Sequence, residues 1–144
     1  MKKIKLTAIV ASLLIGSSAF AIVSTSAIMK RVTGVVSALE DKDEQVIFVQ
    51  MDSIEKDQKS TQTYTLQEDS TYKIVVVGDE KRVTDIDLRV LDENDNEIGE
   101  DSDEQNIAMV RITPKWTGKF KIQVWAAEMQ AKDAFYGIVI ARED

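Results

Sequence analysis

Apolar and polar residues alternate with a period of two over most of this 144-residue chain, and the breaks in that period mark its organisation. Ile28, Val32, Val35, Val36 and Leu39 share one face at helical spacing, which predicts a short N-terminal helix. Gly34 and the β-branched valines within it oppose that assignment. Residues 40–44 form a charged connector, and residues 45–51 are a near-continuous apolar run of strand length. Residues 52–59 are polar and are expected to form a loop or one helical turn. From Ser60 the threonines at 61, 63 and 65 alternate with Gln62, Tyr64 and Leu66, as in a half-buried antiparallel strand. Residues 72–77 are apolar on both faces near their end, as expected of a central strand.

Ile86, Leu88 and Val90 line one face of the next strand, and residues 92–96 are rich in the types that close a hairpin. Ile98 and Gly99 begin a short return, followed by an acidic loop over 100–105. Ala108, Val110 and Ile112 alternate with Met109 and Arg111 until Pro114 stops the strand, and residues 116–118 turn the chain. Phe120, Ile122, Val124 and Ala126 then face one way, while Lys119, Lys121, Gln123 and Trp125 face the other. A polar excursion over 128–134 leads to a last strand at 135–141. About seven strands spaced roughly ten residues apart predict an all-β fold, an antiparallel β-sandwich.

Composition narrows the chemistry. The chain has no cysteine and no histidine. That excludes thiolate nucleophiles, Ser-His-Asp triads, acylated-cysteine anchors and the usual soft-metal sites. The first 21 residues have the three parts of a secretory signal peptide. Lys2, Lys3 and Lys5 are followed by an apolar stretch over 6–15 and by Ala19, Phe20 and Ala21 as a small-x-small cleavage site. About ten apolar residues are too few to span a ~30 Å hydrocarbon core. Cleavage after Ala27 is an alternative, with the bulkier Thr25 at the −3 position. The expected organisation is a signal peptide (1–21), a helical and linker segment with one strand (22–59) and a sandwich (60–144). The net charge of −7 becomes −10 once three lysines leave with the leader. Such a surface repels nucleic acid and anionic lipid. An exported protein, periplasmic or extracellular, without a membrane anchor is expected, and its oligomeric state is open.

The order of certain residues resembles the bacterial pre-peptidase C-terminal domains. It runs Tyr72, Ile74, Gly78 and Asp79, then Asp85, Asp87, Leu88, Val90, Asp92, Glu93 and Asn94. It continues through Ile112, Thr113, Pro114, Thr117, Gly118, Phe120, Ile122 and Val124 and ends at Tyr136, Gly137 and Ile138, so that the resemblance covers about 60–141. It implies a small β-sandwich of the kind usually appended to secreted proteases, some of which bind collagen or other insoluble polymers. No peptidase domain is expected within these 144 residues, and Asn96 stands where a glycine would fall late in the hairpin turn. The chain is most similar to stand-alone exported versions with a helical N-terminal segment.

Two clusters are candidate sites. Residues 92–104 hold eight acids and no base. Asp92, Asn94, Asn96 and Asp103 match positions 1, 3, 5 and 12 of an EF-hand loop, but the required glycine at position 6 is Glu97. A looser Ca²⁺ site built on Asp85, Asp87, Asp92 and Asn94 is the remaining metal expectation, with a solvated hairpin in which Asp87 bonds turn backbone as its alternative. Trp116 and Trp125, with Tyr64 and Tyr136, are the candidate aromatic platform for a protein or an extracellular polymer. No other cofactor is expected. Paired carboxylates can hydrolyse glycosides, but these lie in a polar loop without the apolar pocket that raises one pKa. The function expected is therefore a non-catalytic binding or accessory module, not an enzyme. A structural or envelope-stress accessory without a dedicated ligand is the second reading, and a carboxylate-dependent hydrolase the third.

Overall fold

The computed structural model describes residues 24–143; the expected signal peptide lies outside them. One helix, α1 (Ser26–Glu40), precedes eight strands. These are β1 (Gln45–Glu55), β2 (Lys59–Leu66), β3 (Thr71–Gly78), β4 (Val83–Leu91), β5 (Glu97–Asp101), β6 (Ile107–Ile112), β7 (Gly118–Met129) and β8 (Asp133–Glu143). They form two four-stranded antiparallel sheets, ordered β1-β8-β3-β6 and β2-β7-β4-β5.

The sandwich core is what period-two alternation dictates. Ile74, Val76, Ile138 and Ile140 from the first sheet meet Ile86, Leu88, Val90, Phe120, Ile122 and Val124 from the second. The apolar residues of opposite parity have a different destination. Val75, Val77, Val139 and Ala141 point away from the sandwich and pack under Ile28, Val32 and Leu39 of α1. The middle of the first sheet is thus covered on both faces, with α1 forming a third layer, which is why β3 is apolar on both faces from Ile74 to Val77. Each fully buried aliphatic side chain on the helix contributes about 1.5–3 kcal/mol, enough to hold a helix that Gly34 and the valines make intrinsically weak. Arg31 fixes its orientation, donating to the Gly78 carbonyl and to Asn106 Oδ1 at 2.9 Å each.

Three stretches differ from expectation. The polar stretch at 52–59 is mostly strand, since β1 continues to Glu55 in register with Asp133 and only residues 56–58 turn. The excursion at 128–134 is likewise strand up to Met129 and again from Asp133. Ladder hydrogen bonds need no apolar side chain, so strand ends whose side chains meet water read as loop. The eighth strand, β5, lies inside the acidic run. It is an edge strand against β4, and its outward positions carry charge because nothing covers them.

The turns are held by aspartate. Asp43, Asp57, Asp69 and Asp95 adopt left-handed backbone with φ of 61°, 64°, 58° and 65°, a conformation that aspartate tolerates better than most non-glycine residues.

Candidate functional site

Trp116 sits in the turn between β6 and β7, and the turn is pinned. The backbone N–H of Asp69 donates to the Pro114 carbonyl at 3.1 Å, and that of Glu68 to Thr117 Oγ1 at 3.0 Å. Thr71 and Thr113 share a hydroxyl hydrogen bond at 2.9 Å. The β2–β3 turn therefore buttresses the segment that carries the indole. Gly118 lets the indole lie close over the strand: a Cβ there would lie 3.0 Å from the indole Cδ1 and Nε1. The ring lies 5.7 Å from the Phe120 ring at a tilt of 30°, with 37% of the residue exposed. Around it Ile98, Ile112, Pro114 and Phe120 form the apolar walls of a groove of about 420 Å³, with Arg111 and Lys115 at its rim. Arg111 is clamped by Glu143, its Nη2 2.5 Å from Oε2, which holds the Glu143 carboxyl below the usual carboxylate range.

Trp125 is elsewhere. It lies seven residues beyond Gly118 on β7, roughly 23 Å along an extended strand. It is on the outer face of the second sheet, as the alternation predicts, but cations cover it. Lys59 Nζ is 4.4 Å from the ring centroid and Arg89 Cζ 5.5 Å. The tyrosines do not join either tryptophan. Tyr136 is fully buried, its hydroxyl 2.7 Å from Ser60 Oγ. Tyr64 stacks edge-on against Phe48 at 4.7 Å and donates to Gln50 Oε1, and its hydroxyl is pushed up to about 12 chiefly by burial. The four aromatics therefore form no common platform.

The acidic residues also separate into two environments. Asp92 holds the β4–β5 turn together. Its Oδ1 accepts from the backbone N–H of Asn94 (2.8 Å) and of Asn96 (2.9 Å), and its Oδ2 accepts from the Asn96 side-chain amide. Those bonds, led by the Asn96 side chain, hold its carboxyl below the ordinary range. Asn96 replaces the turn glycine without strain, because the left-handed position falls on Asp95 and the Asn96 amide closes the turn. The backbone-bonding role expected of Asp87 thus belongs to Asp92.

Asp85 and Asp87 lie one turn of the pleat apart on β4. Each keeps a buried Oδ1 without a hydrogen-bond partner. Burial raises both carboxyls above the ordinary range. Glu104, Glu128 and Asp103 add to the effect at Asp85, and Asp85 itself adds to it at Asp87. The indole of Trp125, directly across the ladder from Asp87, works the other way. Among the described residues no three acids converge as a metal-binding group. None of the described helices is long and apolar enough to cross a membrane.

Sequence pattern singled out Trp116 but not its surroundings. Ile98 is an isolated apolar residue in an acidic run, and Arg111 an outward position on an edge strand. Only the pairing of β5 with β4 and of β6 with β3 brings them to the same indole.

The architecture is a small antiparallel β-sandwich of two four-stranded sheets with one helix packed on it. No family model matches the chain. No curated protein matches it in sequence. Among solved structures it is similar to the pre-peptidase C-terminal domain of a collagenase from Bacillus anthracis, with a TM-score of 0.52 and 17% identity over 65% of this chain and 87% of that one. It is also similar to Aeromonas hydrophila PliG, a periplasmic inhibitor of g-type lysozyme, with a TM-score of 0.52 and 13% identity over 71% of this chain and 90% of that one.

Proposed function

We propose that this protein is an exported, non-catalytic binding module of the pre-peptidase C-terminal kind that recognises a protein or an extracellular polymer through the Trp116 groove. The observation that carries this reading is the combination of a half-exposed indole, an apolar floor and a buttressed turn. A preordered aromatic in an apolar pocket is the usual anchor of a recognition surface, because little side-chain entropy is lost when a partner covers it. The two solved neighbours support a partner-binding role: one is the pre-peptidase C-terminal domain of a collagenase and the other a periplasmic inhibitor of g-type lysozyme. They also support export, and cleavage after Ala21 leaves α1 whole, whereas cleavage after Ala27 removes its first residues.

The test is titration of the purified protein with a g-type lysozyme and co-sedimentation with insoluble collagen, each compared with Trp116→Ala and Trp125→Ala. Saturable binding to either probe that weakens about tenfold or more in Trp116→Ala, and little in Trp125→Ala, supports the groove. Binding indifferent to Trp116, or binding to neither probe, counts against it.

A further inference from the structure

A two-sheet sandwich has four strand edges, and three of these are short, charged or polar. β5 is five residues long and carries Glu97, Glu100 and Asp101. β6 has its Met109 N–H taken by Asp101 Oδ2 at 2.8 Å and carries Arg111. β2 presents Lys59 and a row of threonines. Short length, charge and capped donors are how edges avoid pairing with another chain.

The β1 edge differs. It is eleven residues long, and from Gln45 to Ile54 its only charge is Asp52. A bulge at Ile47 interrupts the register with β8, but from Phe48 to Glu55 the ladder is regular. Ile47, Phe48, Val49 and Met51 are all exposed large hydrophobics. Val49 and Met51, 46% and 41% exposed, line a groove of about 210 Å³ with Met29, Val32, Thr33 and Val36 of α1, and Met29 is itself 51% exposed. The helix covers the middle of the first sheet and leaves this strip beside the edge open.

We propose that β1 is a self-association edge: two copies pair β1 with β1 antiparallel about a two-fold axis, joining two four-stranded sheets into one of eight strands. The occupant is set by chemistry. An unpaired strand edge offers backbone donors and acceptors that only another strand can satisfy in series. Over the rest of the surface, two copies of a chain of net charge −7 repel, so the uncharged strip is where they approach at least cost. The strand is also self-complementary, as a two-fold interface requires. Pairing centred on Val49 places Ile47 against Met51 of the second copy and Phe48 against Gln50. Asp52 lies three residues from that centre, so the Asp52 side chains of the two copies are not opposite one another. A two-fold axis normal to the sheet keeps both helices on one face, so the Met29 of each copy flanks the joined strip.

The experiment is sedimentation velocity of the protein as purified, from about 1 µM to about 1 mM at low and at high salt. The expected result is a concentration-dependent rise from the monomer mass to twice that mass, at lower concentration in high salt because screening relieves the repulsion. Val49→Lys places two like charges across the axis and is expected to weaken association at least about tenfold. Its thermal melt should match the parent's, since Val49 is exposed. Thr63→Lys, on the outer face of the other sheet, should leave association unchanged. A monomer at every concentration overturns the proposal, and so does association that Val49→Lys leaves intact.

Discussion

At Asp87, burial and a neighbouring carboxylate act together. Asp85 and Asp87 both have raised folded-state pKa values, caused first by burial and then by surrounding acids. A carboxyl whose folded pKa exceeds its unfolded value opposes folding when it is ionised, and that cost disappears as the pH falls through the folded value. Asp92 and Glu143 are shifted the other way, so the stability they supply is lost only below the ordinary carboxylate range. Thermal melts should therefore show the midpoint rising as the pH falls from 7 toward the ordinary carboxylate range and falling again below that range. Asp87→Asn should raise the midpoint at pH 7 by a few degrees and flatten the rise, because the amide fills the site without charge. A monotonic fall from pH 7 would refute this account. The same two orphaned oxygens are where a Ca²⁺ expectation must now rest, since both Asp92 oxygens are taken by the turn. Melts with millimolar Ca²⁺ and with a chelator decide between proton and cation. At 100 times its dissociation constant a bound ion adds about 2.7 kcal/mol, on the order of 10 °C here, whereas a site filled by protons leaves the two melts superimposed.

Among the elements, α1 packs closely on β8 at Gly137. A Cβ at Gly137 would lie 2.3 Å from Val32 Cγ2 and 3.5 Å from Val77 Cγ2. Glycine there lets the helix settle onto the strand, and it gives a physical reason for the Tyr136–Gly137–Ile138 run. Gly137→Ala must push α1 outward or distort β8, at a cost of about 1–3 kcal/mol in urea unfolding. Val32→Ala alone should also destabilise, by removing buried methyl groups. Because the two substitutions meet at one contact, the double variant should lose clearly less than the two single losses added together. Strict additivity would mean that the helix does not rest on this glycine.

At the scale of the whole molecule, the fold places the Trp116 groove and the β1 strip far apart. The Trp116 groove lies beside β5 and β6 at one edge of the sandwich, and the β1 strip at the other. Both interrupt an otherwise acidic surface, which disfavours indiscriminate contact elsewhere. Pairing through β1 leaves the Trp116 grooves at the two outer ends of the joined sheet. Two such grooves on one particle raise the apparent affinity for a repetitive polymer without any change in either groove.

The sequence by itself determined which residues face inward, because a two-residue period is a local property of extended backbone and needs no knowledge of neighbours. Ile86, Leu88 and Val90, then Phe120, Ile122 and Val124, lie inward as their alternation requires, and Trp125 points out. The turns were equally legible at Asp92–Asn96 and at 116–118, where side-chain chemistry acts within a few residues. Tertiary structure decided the rest, since it depends on which strand lies beside which. The role of Val75 and Val77 as a floor for α1, the acidic edge strand β5 and the polar ends of β1 and β7 all arise from pairing partners distant in sequence. So does the division between an open Trp116 and a cation-covered Trp125, two residues of one type that local sequence could not tell apart.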